Sequence, residues 1–299
     1  MRLYQVSTGE LFAPGNAYWD KYMITKKGTP RKKMSWGILK YLIYEMGVNI
    51  TPSVTEVASC LNGFGAFNIG SQWATGVTAD VAAQLLDKNI NPSEFSDAVK
   101  KASIEEQHKA RDRGTLLHGI FHDVTSGKRK ESDLSEEEKA FLYSCRCALH
   151  NKIDCPPDSY QTEVMLKHNS TCGTADVVST SCSIINDWKT VREFHPVRES
   201  EWGQLAAYLV AAQLRSGYIT QIHQTTFEHK VYGPLEGDAL DLYYQAFDTA
   251  RRLMGVMLRI KLKNTKIVYP PTVKQKKKVD YESTTGIADV LYWEPEPTA

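Results

Sequence analysis

The chain has 299 residues, 42% of them hydrophobic and 24% charged, with a net charge of +1. That balance is ordinary for a globular protein, with room for one large domain or for a core carrying an added N-terminal part. No apolar run suited to a secretory signal follows Met1, no stretch approaches ~18 consecutive apolar residues, and the six scattered cysteines suit a reducing interior, so neither secretion nor a membrane span is expected.

Residues 1–50 read as irregular at first and then as a helix over 36–46. Within Thr51-Pro52-Ser53-Val54-Thr55-Glu56-Val57, Ser53 or Thr55 suits the cap of a short helix. Asn62-Gly63-Phe64-Gly65 marks a turn, a helix follows over 78–86, Asn91-Pro92-Ser93-Glu94 opens another, and 104–122 is helical again. A polar loop at 128–137 leads into a helix over 135–150. After the punctuation of Pro156-Pro157, Tyr160-Gln161-Thr162-Glu163-Val164-Met165-Leu166 reads as a strand. A second strand is built around the β-branched pair Ile184-Ile185. Residues 202–212 are rich in helix formers. A further hairpin over 218–223 and 226–232 precedes a long helix over 238–260. The organisation expected is a mostly helical N-terminal portion (1–100), a core (101–265) and a C-terminal extension (266–299).

The small net charge hides an uneven distribution. Between Lys21 and Lys40 there is no acidic residue, while Lys21, Lys26, Lys27, Arg31, Lys32, Lys33 and Lys40 are interleaved with Trp36 and Tyr41. From Arg251 to Lys278 there is again no Asp or Glu. Any one such run is commonly just a solvated surface, but basic stretches with aromatics also suit a phosphate backbone with exposed bases. Acidic stretches at 131–138 and 280–296 would keep nucleic acid off other surfaces or simply be solvated.

The densest chemistry lies between Gly173-Thr174-Ala175-Asp176 and Asp187-Trp188-Lys189. The spacing suits a strand, a tight turn and a return strand. Gly173 offers a tight backbone path. On an extended strand Asp187 and Lys189 share one face and Trp188 takes the other. Two carboxylates and one ammonium suit holding Mg²⁺ against a phosphate, since that ion needs only one or two protein carboxylates. Asp-x-Lys alone reads first as a surface ion pair at a strand end, worth about 1 kcal/mol or less, and it is the neighbouring segments that shift the weight.

Taken in order, the motifs resemble the PD-(D/E)xK nuclease superfamily, in particular the branch of the RecB nuclease domain, the mitochondrial genome maintenance exonuclease and related phage exonucleases. The segments that carry the resemblance are Arg113-Gly114-Thr115-Leu116-Leu117-His118 on a helix, Glu163 on a strand, Gly173 to Asp176, Asp187 to Thr190, and Gln204 to Tyr208 on a helix. Thr51 to Val57 is similar to a Pro-Ser-Val-Thr segment of phage members. The resemblance implies an α/β fold with a central mixed sheet flanked by helices, in the order helix, three strands, helix, strand. It implies Mg²⁺ or Mn²⁺ held by His118, Asp176, Asp187 and the carbonyl of Trp188, with Glu163 as a further ligand or water-orienting group. Lys189 would be the catalytic lysine beside Asp187, Asp176 and Glu163. Gln204 and Tyr208 would brace the site or touch nucleic acid, together with Arg113, Thr190, Lys32 and Lys33, and the N-terminal portion would guide DNA.

The activity so implied is a metal-dependent deoxyribonuclease, an exonuclease of single-stranded ends. It would serve DNA replication, recombination or repair with the proteins of those processes, in a phage or prokaryotic cytoplasm or an organellar matrix. A non-cutting nucleic-acid module of the same fold and a restriction-type endonuclease are the alternatives. Relatives with an iron–sulfur cluster carry a cysteine layout absent here, where none follows Cys182. His118 and His122 have helical zinc spacing, but Gly119 stands where the zinc-protease motif needs Glu. Cys145 and Cys147 are too close for a zinc knuckle and read as inert thiols. Tyr208 suits a core as well as a site.

Overall fold

The computed structural model describes residues 3–25, 27–63, 92–168 and 171–271. The helix expected at 78–86, the basic triplet at 276–278 and the acidic stretch at 280–296 lie outside the described residues.

In the described N-terminal residues two short strands accompany the helices. Strand β1 (Leu3–Gln5) pairs antiparallel with β2 (Ile50–Pro52), and between them stand α1 (Ala17–Tyr22) and α2 (Trp36–Met46). The two strands and α1 are too short to carry a periodicity that sequence can show, whereas α2 forms over the residues expected. Their signals are local: the Asn16 side chain accepts from the N–H groups of Tyr18 and Trp19 to start α1, and Gly47, at φ 63°, ends α2 in the left-handed region. Ser53 caps α3 (Val54–Ser59), its hydroxyl accepting from Glu56 N–H at 3.0 Å.

Helix α4 (Pro92–Thr125) is one continuous rod where two helices are expected, and it runs unbroken across residues 100 and 101. Helix α5 (Glu136–Cys147) opens on a full capping box between Ser135 and Glu138. The sheet follows: β3 (Gln161–His168), β4 (Thr171–Ser179), β5 (Ile184–Val191), then α6 (Glu199–Ala212), β6 (Ser216–His223), β7 (His229–Leu235) and the long α7 (Gly237–Lys263). The strand order is β3-β4-β5-β6-β7, with β5 and β6 parallel and every other neighbour antiparallel. The parallel pair needs a crossover, and α6 is that crossover. The chain is thus an α/β protein with a mixed five-stranded sheet flanked by helices.

Helices bury both faces of the sheet. Ile185 and Ile219 pack with Leu205, Leu209 and Phe247 from α6 and α7, while Ile184, Trp188 and Ile222 pack with Phe121 and Phe141 from α4 and α5. Strands covered on both sides read as apolar runs, which is why the middle of β5 is legible in sequence. A third cluster fills the N-terminal layer around Trp19, Ile38 and Leu42, and Leu262 at the end of α7 belongs to it. The acidic stretch at 131–138 is a web of partners: Glu131 meets Arg146, Glu136 meets Lys139, Glu137 meets Arg113 and Glu138 meets Arg129. No described helix is long and apolar enough to cross a membrane.

Candidate active site

Strands β4 and β5 pair only from Val177 to Ser179 against Ile184 to Asn186, and beyond that they separate. The opening falls at Asp176 and Asp187. There the Trp188 N–H, which β4 no longer satisfies, donates to Asp176 Oδ2 at 2.7 Å. One carboxylate is thereby pinned across the gap between strands. The other, Asp187, is 4% exposed and lies 2.5 Å from Lys189 Nζ. Trp188 points to the opposite face and meets Phe121 edge-on, ring centroids 5.3 Å apart. Alternation along β5 therefore puts Asp187 and Lys189 together and anchors them through the tryptophan between.

Neighbouring elements close the cleft, which has a volume of about 460 Å³. His118 on α4 reaches Asp176, with Nδ1 3.3 Å from Oδ1. Gln204 Nε2 donates to Asp187 Oδ1 at 3.4 Å and to the Tyr208 hydroxyl at 3.2 Å. Gly173 is an extended strand residue, and what it provides is space rather than the unusual backbone path expected of it. A Cβ there would stand 2.8 Å from Tyr208 Cε1 and 2.9 Å from its hydroxyl. Tyr208 is fully buried, so its role in this geometry is to brace.

Four charged groups meet here with compensating signs. Burial opposes ionisation of Asp176, yet the charges of His118 and Lys189 and the Trp188 N–H hold its carboxyl below the ordinary range. Burial pushes Asp187 up to about 6, partly countered by Lys189 and reinforced by Asp176. Burial also works against the His118 imidazolium and the Lys189 ammonium, but the facing carboxylates raise both above their usual values. The Lys189 ammonium is thus held in its charged form by the carboxylates that face it.

The cleft gathers His118, Asp176, Asp187, Trp188, Lys189, Thr190, Gln204 and Tyr208 of the residues singled out in sequence. It does not gather Glu163, Arg113, Lys32 or Lys33. Glu163 stands opposite Asp176 in the β3–β4 register, but its φ of 54° breaks the ladder there, and the residue is exposed on β3. Partial burial of its carboxyl and the charges of Asp176 and Asp187 raise its pKa, so it still feels the site. Arg113 is engaged elsewhere: it pairs with Glu137 and donates to Gln224 O at 2.8 Å, tying α4 to α5 and to the β6–β7 turn. Lys32 and Lys33 lie exposed ahead of α2. His122 bonds Thr162 and Lys128, and the six cysteines are free thiols.

Sequence reasoning missed several residues that line the cleft. Tyr4 arrives from β1, and nothing local marks it. Ser53 and Thr55 stand out in sequence as caps and within the Thr51 to Val57 resemblance, neither of which puts them at the site, yet an isolated bridge from Ser53 to Cys172 lays their segment beside β4. Thr115, part of the Gly114 to His118 motif but given no role of its own there, also reaches the cleft from the same turn of α4.

Among the described residues no three His, Cys, Asp or Glu side chains form a ready-made metal shell. Magnesium does not require one, because one or two carboxylates with water and substrate oxygens suffice. The donors present fit that requirement. Asp176 and Asp187 face one cleft, and His118 Nε2 is buried without a partner.

No family model matches the chain and no curated protein matches it. Among solved structures it is similar to one titled "Crystal structure of SSO0001", at 14% identity over 60% of this chain and 75% of that one, with a TM-score of 0.25. A likeness at that level carries nothing about activity.

Proposed function

We propose that the chain is a metal-dependent deoxyribonuclease of the PD-(D/E)xK type, acting on single-stranded ends. The observation that carries this reading is the opening between β4 and β5, where Asp176, Asp187 and Lys189 meet in a cleft braced by Gln204 and Tyr208. The order α4, three strands, α6, β6 agrees with the helix and strand order of that superfamily.

Asp176, Asp187 and His118 Nε2 would hold Mg²⁺ or Mn²⁺, which supplies Lewis-acid polarisation of a phosphoryl oxygen and of water. Lys189 keeps its positive charge at the cleft and stabilises the charge that grows on the phosphate during displacement. Asp187 keeps its orientation through Gln204, which Tyr208 positions in turn. Tyr4, Ser53, Thr55, Thr115 and Thr190 line the same space, and hydroxyl-bearing residues suit phosphate oxygens.

Incubating the purified protein with end-labelled single strands, with and without Mg²⁺ or Mn²⁺, tests the reading. Metal-dependent shortening of linear strands with circular strands left intact is expected. Lys189→Ala should lower the rate by about a thousandfold or more while retaining strand binding. Cleavage that persists in Lys189→Ala would sink the assignment.

A further inference from the structure

The two basic runs are far apart in sequence, but the fold joins them. Lys40 Nζ donates to Thr265 O at 3.0 Å, across 225 residues of chain, and to Lys263 O at 3.4 Å. Val268 N–H donates to Gly37 O at 3.0 Å, and Lys261 Nζ stands 5.9 Å from the centre of the Trp36 ring. Beneath these contacts Leu262 is buried with Ile38 and Leu42. The start of α2 and the end of α7 are therefore clasped, and their lysines share one surface.

That surface carries Lys261, Lys263 and Lys266, all exposed, with Lys40 at its seam, and the exposed Lys32 and Lys33 lead into it four and three residues ahead of Trp36. Among the described residues none of these has a carboxylate partner. Glu45 stands at one edge and accepts from the Tyr269 hydroxyl at 2.7 Å. Arg251 and Arg252 are paired with Asp248 and lie outside the set. By contrast, the basic groups of α5 are matched by nearby acids, Lys139 by Glu136 on the same helix and Arg146 by Glu131 ahead of it.

We propose that this surface binds the backbone of a nucleic-acid strand, engaging the part of the substrate that extends beyond the cleft. The proposal rests on the nucleic-acid half of the functional reading and not on its catalytic half. Several exposed ammonium groups held around one seam match a polyphosphate, whose affinity grows with each neutralised charge. The aromatic rings of Trp36 and Tyr44 fix two of those groups, since Lys261 lies over the first and Lys40 lies 5.6 Å over the second. An anionic membrane surface is the competing occupant: α7 buries Phe247, Ala250 and Leu262 in the core but leaves Leu253, Val256, Met257 and Ile260 exposed at helical spacing. The strand is favoured because the lysines extend onto the segment after α7, at Lys266, and to Lys40 on α2, beyond that helical stripe.

Fluorescence anisotropy with a labelled single strand of about 30 nucleotides, in EDTA, reads binding without cleavage. The triple variant Lys261→Glu, Lys263→Glu and Lys266→Glu should bind at least about tenfold more weakly, with a salt slope shallower by about 2. Lys32→Glu with Lys33→Glu, which touches no helix, should weaken binding in the same direction. A control with equal charge change on the opposite side, Lys128→Glu, Lys139→Glu and Lys152→Glu, should stay within about twofold. Unchanged affinity in both surface variants, equal loss in the control, or tighter binding of anionic phospholipid vesicles than of the strand overturns the proposal. If the parent fails to cleave yet the variants lose binding, the nuclease reading falls and this one stands. Cleavage with unchanged binding has the opposite meaning.

Discussion

At His118 two forces oppose each other. Burial disfavours the imidazolium, and the Asp176 carboxylate 3.3 Å away more than offsets it, so the folded pKa lies above the ordinary 6.5. A raised histidine stabilises the fold fully below its unfolded pKa and loses that contribution as pH climbs through the folded one. In EDTA, the melting temperature of the parent should therefore exceed that of His118→Gln most at about pH 6, and the gap should narrow towards about pH 9. A gap that widens over that range would refute the assignment of charge. Gly173 makes a second case at this scale. A methyl group there meets the Tyr208 ring and, at 3.1 Å, Val54 Cβ, and both neighbours are buried. Gly173→Ala should cost about 1–3 kcal/mol by overpacking. Because Tyr208 holds Gln204 and Gln204 holds Asp187, it should also lower the cleavage rate of the protein that remains folded, as kinetics normalised to folded fraction would show.

Among the elements, β5 decides the most. Its antiparallel neighbour leaves it at Asp176, but its parallel neighbour stays with it over the whole length from Ile184 to Val191. The rigidity of the Asp187 and Lys189 backbone therefore comes from β6. Part of that hold is a buried side-chain bond, with the Thr220 hydroxyl donating to Asn186 Oδ1 at 2.7 Å. Thr220→Val keeps the shape and removes the donor. Urea unfolding should show a loss of about 1–3 kcal/mol with an unchanged m-value. An unaltered midpoint would mean the bond contributes nothing net.

For the molecule as a whole, the link between its two ends matters most. Residues 264–269 fold back onto α2, and Gly37 permits the approach: a Cβ there would lie 2.5 Å from Val268 Cγ2 and 2.7 Å from the Lys266 carbonyl oxygen. A backbone oxygen cannot move aside as a flexible side chain can. Gly37→Ala should loosen the C-terminal segment from the N-terminal layer, and limited trypsin digestion should then cut at Lys263 and Lys266 faster than in the parent. Equal digestion rates would show that the clasp tolerates the methyl group. Since the third core includes Leu262, the same variant should lower the melting temperature.

The sequence by itself determined the elements with strong periodicity or two-sided burial: α2, α5, the middle of β5, α6 and α7. It also placed Asp187 and Lys189 on one face, because alternation along a strand is a property of the backbone. It could not show that β4 leaves β5 at Asp176, since register is set by contacts on both strands. Nor could it show that Arg113 is taken up by Glu137, that Glu163 turns out of the ladder, or that Gly173 serves the Tyr208 ring. Each of these depends on a partner distant in the chain. The same holds for Tyr4 in the cleft and for the joining of two basic runs into one surface. Local chemistry sets which groups a segment offers, and only the packing of remote segments decides which groups meet.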